Sequence, residues 1–203
     1  MKETILHTAQ DMFLTFGFKS VTMDDIASKM GISKKTIYAH FKNKTSLVEA
    51  STFYLFDCIC DGIDEIRETS PNPIEELYHI KKFVMKHLKY ERSSPQYQLR
   101  KYYPKIHERL MLKQFEVMSE SVKENLNRGI QQQLFRSNLD VDFIARMYFS
   151  GMTGIKDLEL FPDKIFQMSY LMESYLEYHL RAIVTDKGLE ILNQFINNHQ
   201  SHN

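Results

Sequence analysis

Residues 20 to 48 constrain the fold of this chain more than any other stretch, because they spell two short helices joined by a glycine turn. Thr22 can cap the first helix together with Asp25 three residues later, which is the spacing of a capping box. Gly31 can take the left-handed conformation that ends a helix, and Ser33 can cap the second helix. The spacing therefore predicts a helix-turn-helix.

The second predicted helix has an apolar side and an open side. Ile37 and Phe41 lie about one helical turn apart and point inward. Between Ile26 and Val48 there are five lysines and no acidic residue, although the formal net charge of the whole chain is zero. The positive charge is therefore local. Residue types that read DNA remain on or near the open side, namely Lys34, Lys35, Thr36, Tyr38, Ala39 and His40.

This segment resembles the DNA-binding domain of the TetR family of bacterial transcription regulators. The family pattern is carried, in register and without a gap, by Thr22, Ile26, Ala27, Gly31, Ile32, Ser33, Lys34, Thr36, Ile37, Tyr38, His40, Phe41, Lys44 and Leu47. Two residues depart from it, since Met30 stands where a small residue is usual and Lys35 where the family often has glycine. The likeness is close over about the first quarter of the chain and general beyond it.

The resemblance implies an all-α protein. It has a three-helix helix-turn-helix DNA-binding domain at residues 1–46 and a helical ligand-binding and dimerisation domain at residues 47–203. Phosphate contacts are carried over onto Thr22, Ser33, Tyr38, His40 and Lys44. By their chemistry, Lys34 and Lys35 can donate to guanine edges or phosphates, Thr36 can read either, and Ala39 can meet a thymine methyl. A single lysine here could equally be solvated surface, and His40 could instead cap its helix.

Apolar residues recur with a helical period along nearly the whole chain. Nine or ten helices are expected. Gly17 can end the first, and Asn72 with Pro73 can begin another that runs to about Lys89. Breaks are predicted at Ser93-Ser94-Pro95 and at Tyr103-Pro104, and a bend or an interruption at Gly129. The other predicted helices cover residues 43–68, 105–135, 140–155, 163–184 and 186–198.

The resemblance implies that the segment from about Ser51 onward binds a small molecule. The composition allows an apolar one, because 20 of the 25 aromatic residues and seven of the 11 methionines lie beyond position 50 and can line an adaptable apolar cavity. A stripe of such residues at helical spacing is also what a plain core contains. The candidate ligand contacts are Phe83, Tyr102, Tyr103, Met111, Phe115 and Met118.

The resemblance also implies a homodimer held by a four-helix bundle, with two helices from each subunit. Small residues among apolar ones near position 151 would let two helices approach closely, and a twofold interface would match a palindromic operator in double-stranded DNA. The alternative is that these residues form the core of a monomer. The candidate interface residues are Ile144, Met147, Tyr148, Gly151, Ile155, Met168, Met172 and Tyr175.

Other classes of protein fit the sequence less well. No window approaches the roughly 20 apolar residues that span a bilayer, so no membrane partner and a cytoplasmic location are expected. Cys58 and Cys60 point to different faces of a helix and cannot readily pair. No metal, cofactor or catalytic residue is expected, since the histidines lack a metal-binding spacing. The function expected is a ligand-released repressor, and the alternative is a helical adaptor regulated by a protein partner.

Overall fold

In the computed structural model, residues 1–88 and 95–200 are described, and they form ten α-helices with no β-strand. This confirms the all-α prediction. The helices are α1 (Lys2–Phe16), α2 (Met23–Met30), α3 (Lys34–Tyr38), α4 (Lys44–Thr69), α5 (Pro73–His87), α6 (Pro95–Tyr102), α7 (Pro104–Gln131), α8 (Val141–Gly154), α9 (Met168–Ile183) and α10 (Asp186–Gln200).

The chain divides into two compact units. The first comprises Met1–Gly62 and His87–Lys113, and the second comprises Ile63–Lys86 and Gln114–Asn203. Helices α4 and α7 each contribute residues to both units. The predicted boundary at residue 46 concerns function rather than compactness, and it stays a prediction.

The first unit has a core in which the three N-terminal helices pack together. Ile5 of α1, Ile26 of α2 and Ile37 of α3 are completely buried there. Leu99 of α6 and Ile106 of α7 are buried in the same cluster. The helix-turn-helix is therefore held by apolar contacts from helices far beyond it in the sequence.

Among its described residues, the second unit contains two apolar clusters and a buried ionic group. Glu76 of α5 is only 1% exposed. Its carboxylate accepts hydrogen bonds from Asn125 Nδ2 at 2.9 Å and from Arg128 Nη2 at 2.6 and 2.8 Å, both on α7. Because a buried carboxylate is costly without such partners, this group fixes α5 against α7.

Most predicted helix limits agree with the structure, with differences at three places. Helix α9 begins at Met168 rather than near residue 163, because residues 157–166 form turns. In these turns the rings of Phe161 and Phe166 pack edge to face, with their centres 5.5 Å apart. Helix α6 was not predicted as an element. At Gly129, α7 continues to Gln131 without interruption. The predicted limits at Lys89 and at Ser93-Ser94 lie outside the described residues.

Candidate nucleic-acid interface

The N-terminus of α2 is fixed by the capping box that the sequence predicts. The backbone N–H of Asp25 donates to Thr22 Oγ1 at 3.1 Å, and the N–H and hydroxyl of Thr22 donate to Asp25 Oδ2 at 2.8 and 2.7 Å. These hydrogen bonds hold the pKa of Asp25 below its ordinary value. A phosphate contact from the hydroxyl proton of Thr22 would have to replace its bond to Asp25.

The turn and the start of α3 also follow the local sequence. Gly31 has φ 64° and ψ 30°, and its N–H donates to the carbonyls of Ala27 and Ser28. Space around Gly31 is open, so the left-handed backbone is what favours glycine. Ser33 Oγ accepts a hydrogen bond from the N–H of Thr36 at 3.1 Å, which caps α3.

The structure places all nine predicted DNA contacts at least partly in solvent. Ile37 and Phe41 are buried, so α3 turns its apolar side inward as predicted. Ala39 is the C-cap of α3, and His40 lies one residue beyond it. The exposed candidates are Thr22, Ser33, Lys34, Lys35, Tyr38, Ala39 and His40, and the half-buried ones are Thr36 and Lys44.

The two lysines that begin α3 differ in their surroundings. Lys34 Nζ lies 2.8 Å from Asp24 Oδ2, and this hydrogen bond raises the pKa of Lys34. No carboxylate pairs with Lys35 within the part of the chain that the structure describes. The partner Asp24 lies just outside the acid-free stretch considered in the sequence, and its position ten residues before Lys34 gives no local signal. The Asp24 carboxylate partly neutralises the charge of Lys34 and uses one of its three N–H donors, whereas Lys35 has no such partner among the described residues.

Lys44 ties the start of α4 to the turn between α1 and α2. Its Nζ donates to the backbone carbonyl of Lys19 at 3.1 Å, and partial burial lowers the pKa of Lys44. Asn43 precedes it and caps α4, since Asn43 Oδ1 accepts from the N–H of Ser46 at 2.9 Å. The positive end of the α4 dipole and the ammonium group are thus held at one place, which suits an anion.

The six predicted ligand contacts are divided between the two units. Tyr102, Tyr103 and Met111 belong to the first unit, and Phe83, Phe115 and Met118 belong to the second. In the second unit Phe115 lines a cleft of about 310 Å³. The rest of its lining is polar or charged, unlike the apolar cavity expected from the sequence, and consists of Glu116, Ser119, Glu120, Lys123 and Arg146. The ligand contacts stay predictions.

The predicted dimer residues differ widely in exposure. Tyr148, Ile155 and Met172 are buried within the protomer, because α8 and α9 pack on each other and on the rest of their own unit. Gly151, Ile144, Met168 and Tyr175 are half-buried, and Met147 is 50% exposed. Exposed apolar residues flank them. Phe143 and Ile165 lie in the two helices predicted to form the interface, whereas sequence reasoning missed Leu160, Tyr170 and Tyr178.

Two further observations concern residues 1–88 and 95–200. No three side chains of His, Cys, Asp or Glu lie together there in an arrangement that could hold a metal ion. None of the helices described is both long enough and apolar enough to cross a membrane.

Comparison with known proteins gives the family of the N-terminal segment. Residues 5–51 match the family described as "Bacterial regulatory proteins, tetR family". The HTH-type transcriptional repressor KstR2 of Mycolicibacterium smegmatis is 27% identical over 195 residues, which cover 92% of each chain. The negative transcriptional regulator IcaR of Staphylococcus aureus, named for the biofilm operon icaADBC, is 35% identical over 78 residues, covering 38% of this chain and 42% of IcaR.

Solved structures share the fold over nearly the whole chain. A transcriptional regulator from Cytophaga hutchinsonii has a TM-score of 0.74 at 22% identity, with 90% of this chain and 98% of that one covered. KstR2 of Mycobacterium tuberculosis has a TM-score of 0.58 at 20% identity, with 91% and 95% covered. The proteins matched by sequence are transcriptional regulators and not enzymes. The N-terminal domain therefore belongs to the tetR family, and the chain is a DNA-binding transcriptional regulator.

Proposed function

We propose that this regulator is a repressor that binds a palindromic operator as a homodimer and is released by a small molecule. The observation that carries the DNA part is the exposed side of α3, where Lys34, Lys35 and Tyr38 face solvent while Ile37 is buried. In this proposal the N-terminal end of α3 enters the major groove.

Base reading and phosphate binding would fall to different residues of this surface. Lys35 is proposed to read bases, because its ammonium has no carboxylate partner among the described residues and can donate to guanine O6 or N7. Ala39 would meet a thymine methyl. Lys44 is proposed to bind phosphate, since it sits at a helix N-terminus. Lys34 would bind phosphate with the donors that Asp24 does not use.

Selection of sites from random duplexes, followed by two substitutions, tests these roles. Lys35→Ala should change the preferred bases at one position of each half-site, because it removes a base contact. Lys44→Ala should lower the affinity for the selected duplex and for a scrambled duplex by the same factor. Equal losses for Lys35→Ala on both DNAs would remove Lys35 from the base-reading set.

A palindromic operator has two half-sites, so binding both of them requires two copies of the helix-turn-helix and hence a dimer. The exposed apolar residues of α8 and α9 support a dimer. Phe143, Met147 and Gly154 fall on one line along α8, at spacings of four and seven residues. Phe143 is 56% and Met147 50% exposed, and Tyr170 and Tyr178 of α9 are 61% and 73% exposed. Large apolar side chains exposed together are typical of a protein interface. We therefore propose this face in place of the buried Tyr148, Ile155 and Met172.

Gly154 offers a probe of the dimer that the protomer should tolerate. A Cβ atom at Gly154 meets no atom within 4 Å, whereas one at Gly151 would lie 2.1 Å from the Tyr175 ring. Gly154→Leu should therefore leave the fold intact and weaken dimerisation and operator binding together, as should Met147→Glu. Light scattering gives the mass at micromolar concentration. A monomer that still binds the palindrome tightly would contradict the proposal.

Release by a ligand is the third part of the proposal. Helix α4 runs without a break from the proposed phosphate contact Lys44 to Thr69 and contributes to both units. Half-buried apolar side chains of the second unit, Phe83, Phe115 and Met118, are the candidate contacts for a small, largely apolar molecule. A ligand that favours an orientation of α4 unsuited to DNA would lower operator affinity.

Thermal-shift screening of apolar compounds, followed by operator titration, tests the release. A coupling of roughly 1–3 kcal/mol would lower operator affinity about 5- to 150-fold. The operator must lower the affinity for the ligand by the same factor, because linkage is reciprocal. Phe115→Ala should lower the affinity for the ligand and leave the affinity for the operator unchanged. If every compound that binds does so equally with and without operator, the ligand is not a releasing signal.

A further inference from the structure

Helix α6 is packed onto the turn that joins α1 to α2. The backbone of Gly17 has φ 86°, and the side-chain amide of Gln98 lies within 2.4 Å of where a Cβ atom at residue 17 would be. The ring of Phe18 meets that of Tyr103 edge to face at 6.3 Å. Leu99 is buried in the core of the same unit. The position of α6 relative to this turn is therefore fixed by close packing.

The exposed end of α6 is basic and aromatic. Residues 95–107 contain Arg100, Lys101 and Lys105 and no acidic residue. Lys101 Nζ lies 5.6 Å from the centre of the Tyr102 ring, and Lys19 Nζ from the α1–α2 turn lies 5.2 Å from the same centre. Two ammonium groups thus converge on one tyrosine, and we call Lys19, Lys101 and Tyr102 the α6 basic surface.

The charge of this surface is not balanced by carboxylates in residues 1–88 and 95–200. Neither Lys19 nor Lys101 pairs with a carboxylate there. The pKa of His107 is lowered by burial and, next, by the positive charge of Arg100. Like charges held near one another repel, and an anion placed between them removes that repulsion. Of the two cation–π contacts, only that of Lys19 joins the turn to α6, because Lys101 and Tyr102 both belong to α6.

The α6 basic surface is joined to the proposed phosphate contacts of the helix-turn-helix of residues 22–44, which we call the reading head. The backbone carbonyl of Lys19 accepts the hydrogen bond from Lys44 Nζ at 3.1 Å. Thr22 follows Lys19 by three residues. The proposed phosphate contacts Lys44 and Thr22 therefore adjoin the turn that carries Lys19.

We propose that the α6 basic surface binds backbone phosphates that flank the operator, outside the bases that α3 reads. The inference rests on the proposed operator binding by α3 and extends it. Lys19 and Lys101 would each bind one phosphate, and the hydroxyl of Tyr102 can donate to the same strand. Such contacts add affinity and carry no sequence information. DNA is the partner favoured over other polyanions because of the link to Lys44.

The experiment compares two duplexes, one limited to the selected site and one extended by about ten base pairs on each side. The test variant is Lys19→Gln/Lys101→Gln. The matched control is Lys82→Gln/Lys86→Gln, which removes the same charge from exposed lysines of α5 in the second unit. Lys44→Ala marks the loss of binding through the reading head itself.

The extended duplex should bind the wild-type chain more tightly and with a steeper salt dependence. Two extra contacts per protomer, or four per dimer, change the slope of log K against log salt by roughly −3.6. Between 50 and 200 mM salt, that is about a 150-fold additional loss of affinity. The test variant should match the wild type on the short duplex and lose this difference on the long one, whereas the control variant should keep it.

Three other results would overturn the proposal, each in a distinct way. If the test variant keeps the full gain on the extended duplex, the α6 basic surface does not touch DNA. If it loses affinity equally on both duplexes, the surface lies inside the site or acts on the reading head. If the wild-type chain binds neither duplex, operator binding itself is refuted, and this inference falls with it.

Discussion

Substitution of two glycines in α8 should give opposite effects on stability. Gly151 and Gly154 lie in the same helix, three residues apart. Alanine is more stable than glycine in a helix by about 0.5–1 kcal/mol, so each Gly→Ala change begins with a similar gain. What differs is the surroundings of the new methyl group.

At Gly151 the methyl group would overlap the ring of Tyr175. The nearest ring atoms lie 2.1 to 2.3 Å from the Cβ position, while none lies within 4 Å at Gly154. The ring is held in place because the Tyr175 hydroxyl donates to the carbonyl of Met147 at 2.9 Å. Overpacking costs about 1–3 kcal/mol. Loss of the hydrogen bond adds about 0.5–1.5 kcal/mol. Gly151→Ala should therefore be less stable than Gly154→Ala by about 2–4 kcal/mol.

Thermal unfolding measures the difference. For a chain of this size it corresponds to Tm values separated by about 5–15 °C, with Gly154→Ala above the wild type and Gly151→Ala below it. Adding Tyr175→Ala should make Gly151→Ala much less harmful, since neighbouring substitutions are not additive. If both glycine variants change Tm by the same amount and in the same direction, the packing of α9 on α8 is not as described.

Two further predictions concern the second unit. Burial lowers the pKa of His179 to about 4. The unfolded chain therefore binds this proton below about pH 6.5, before the folded chain does. About 3 kcal/mol of stability should be lost as the pH falls from 6.5 to 4, and His179→Leu should remove that part of the pH dependence in urea titrations. Arg128→Met should destabilise the chain by about 3 kcal/mol or more, because it leaves the Glu76 carboxylate buried without its ionic partner. Arg128→Lys should recover part of this in the same titrations, and an unchanged midpoint for Arg128→Met would show that the pair is dispensable.

The reading head could be predicted from the sequence because its structure is set by neighbouring residues. The Thr22 cap, the left-handed Gly31 and the Ser33 cap each depend on partners within four positions. The same holds for Asn72 at the start of α5, whose Oδ1 accepts from the N–H of Glu75 at 3.0 Å. Local chemistry of this kind leaves few alternatives for the backbone.

What the sequence could not give depends on distant parts of the chain. The apolar period of α8 and α9 shows that these helices bury one side, but not which neighbour covers it. Tyr148 and Met172 are covered within the protomer, whereas Phe143 is exposed. The pairing of Lys34 with Asp24 forms only when α2 and α3 are folded together, so the spacing of these residues in the sequence does not predict it.

Binding to a selected DNA site at several salt concentrations tests most directly whether residues 22–44 form a sequence-reading head. A dimer that neutralises about eight phosphates should give a slope of log K against log salt near roughly −7. The selected site should be preferred over a scrambled duplex by about 10³-fold or more. Equal affinity for the two duplexes, or a slope near zero, would contradict the proposed reading by α3.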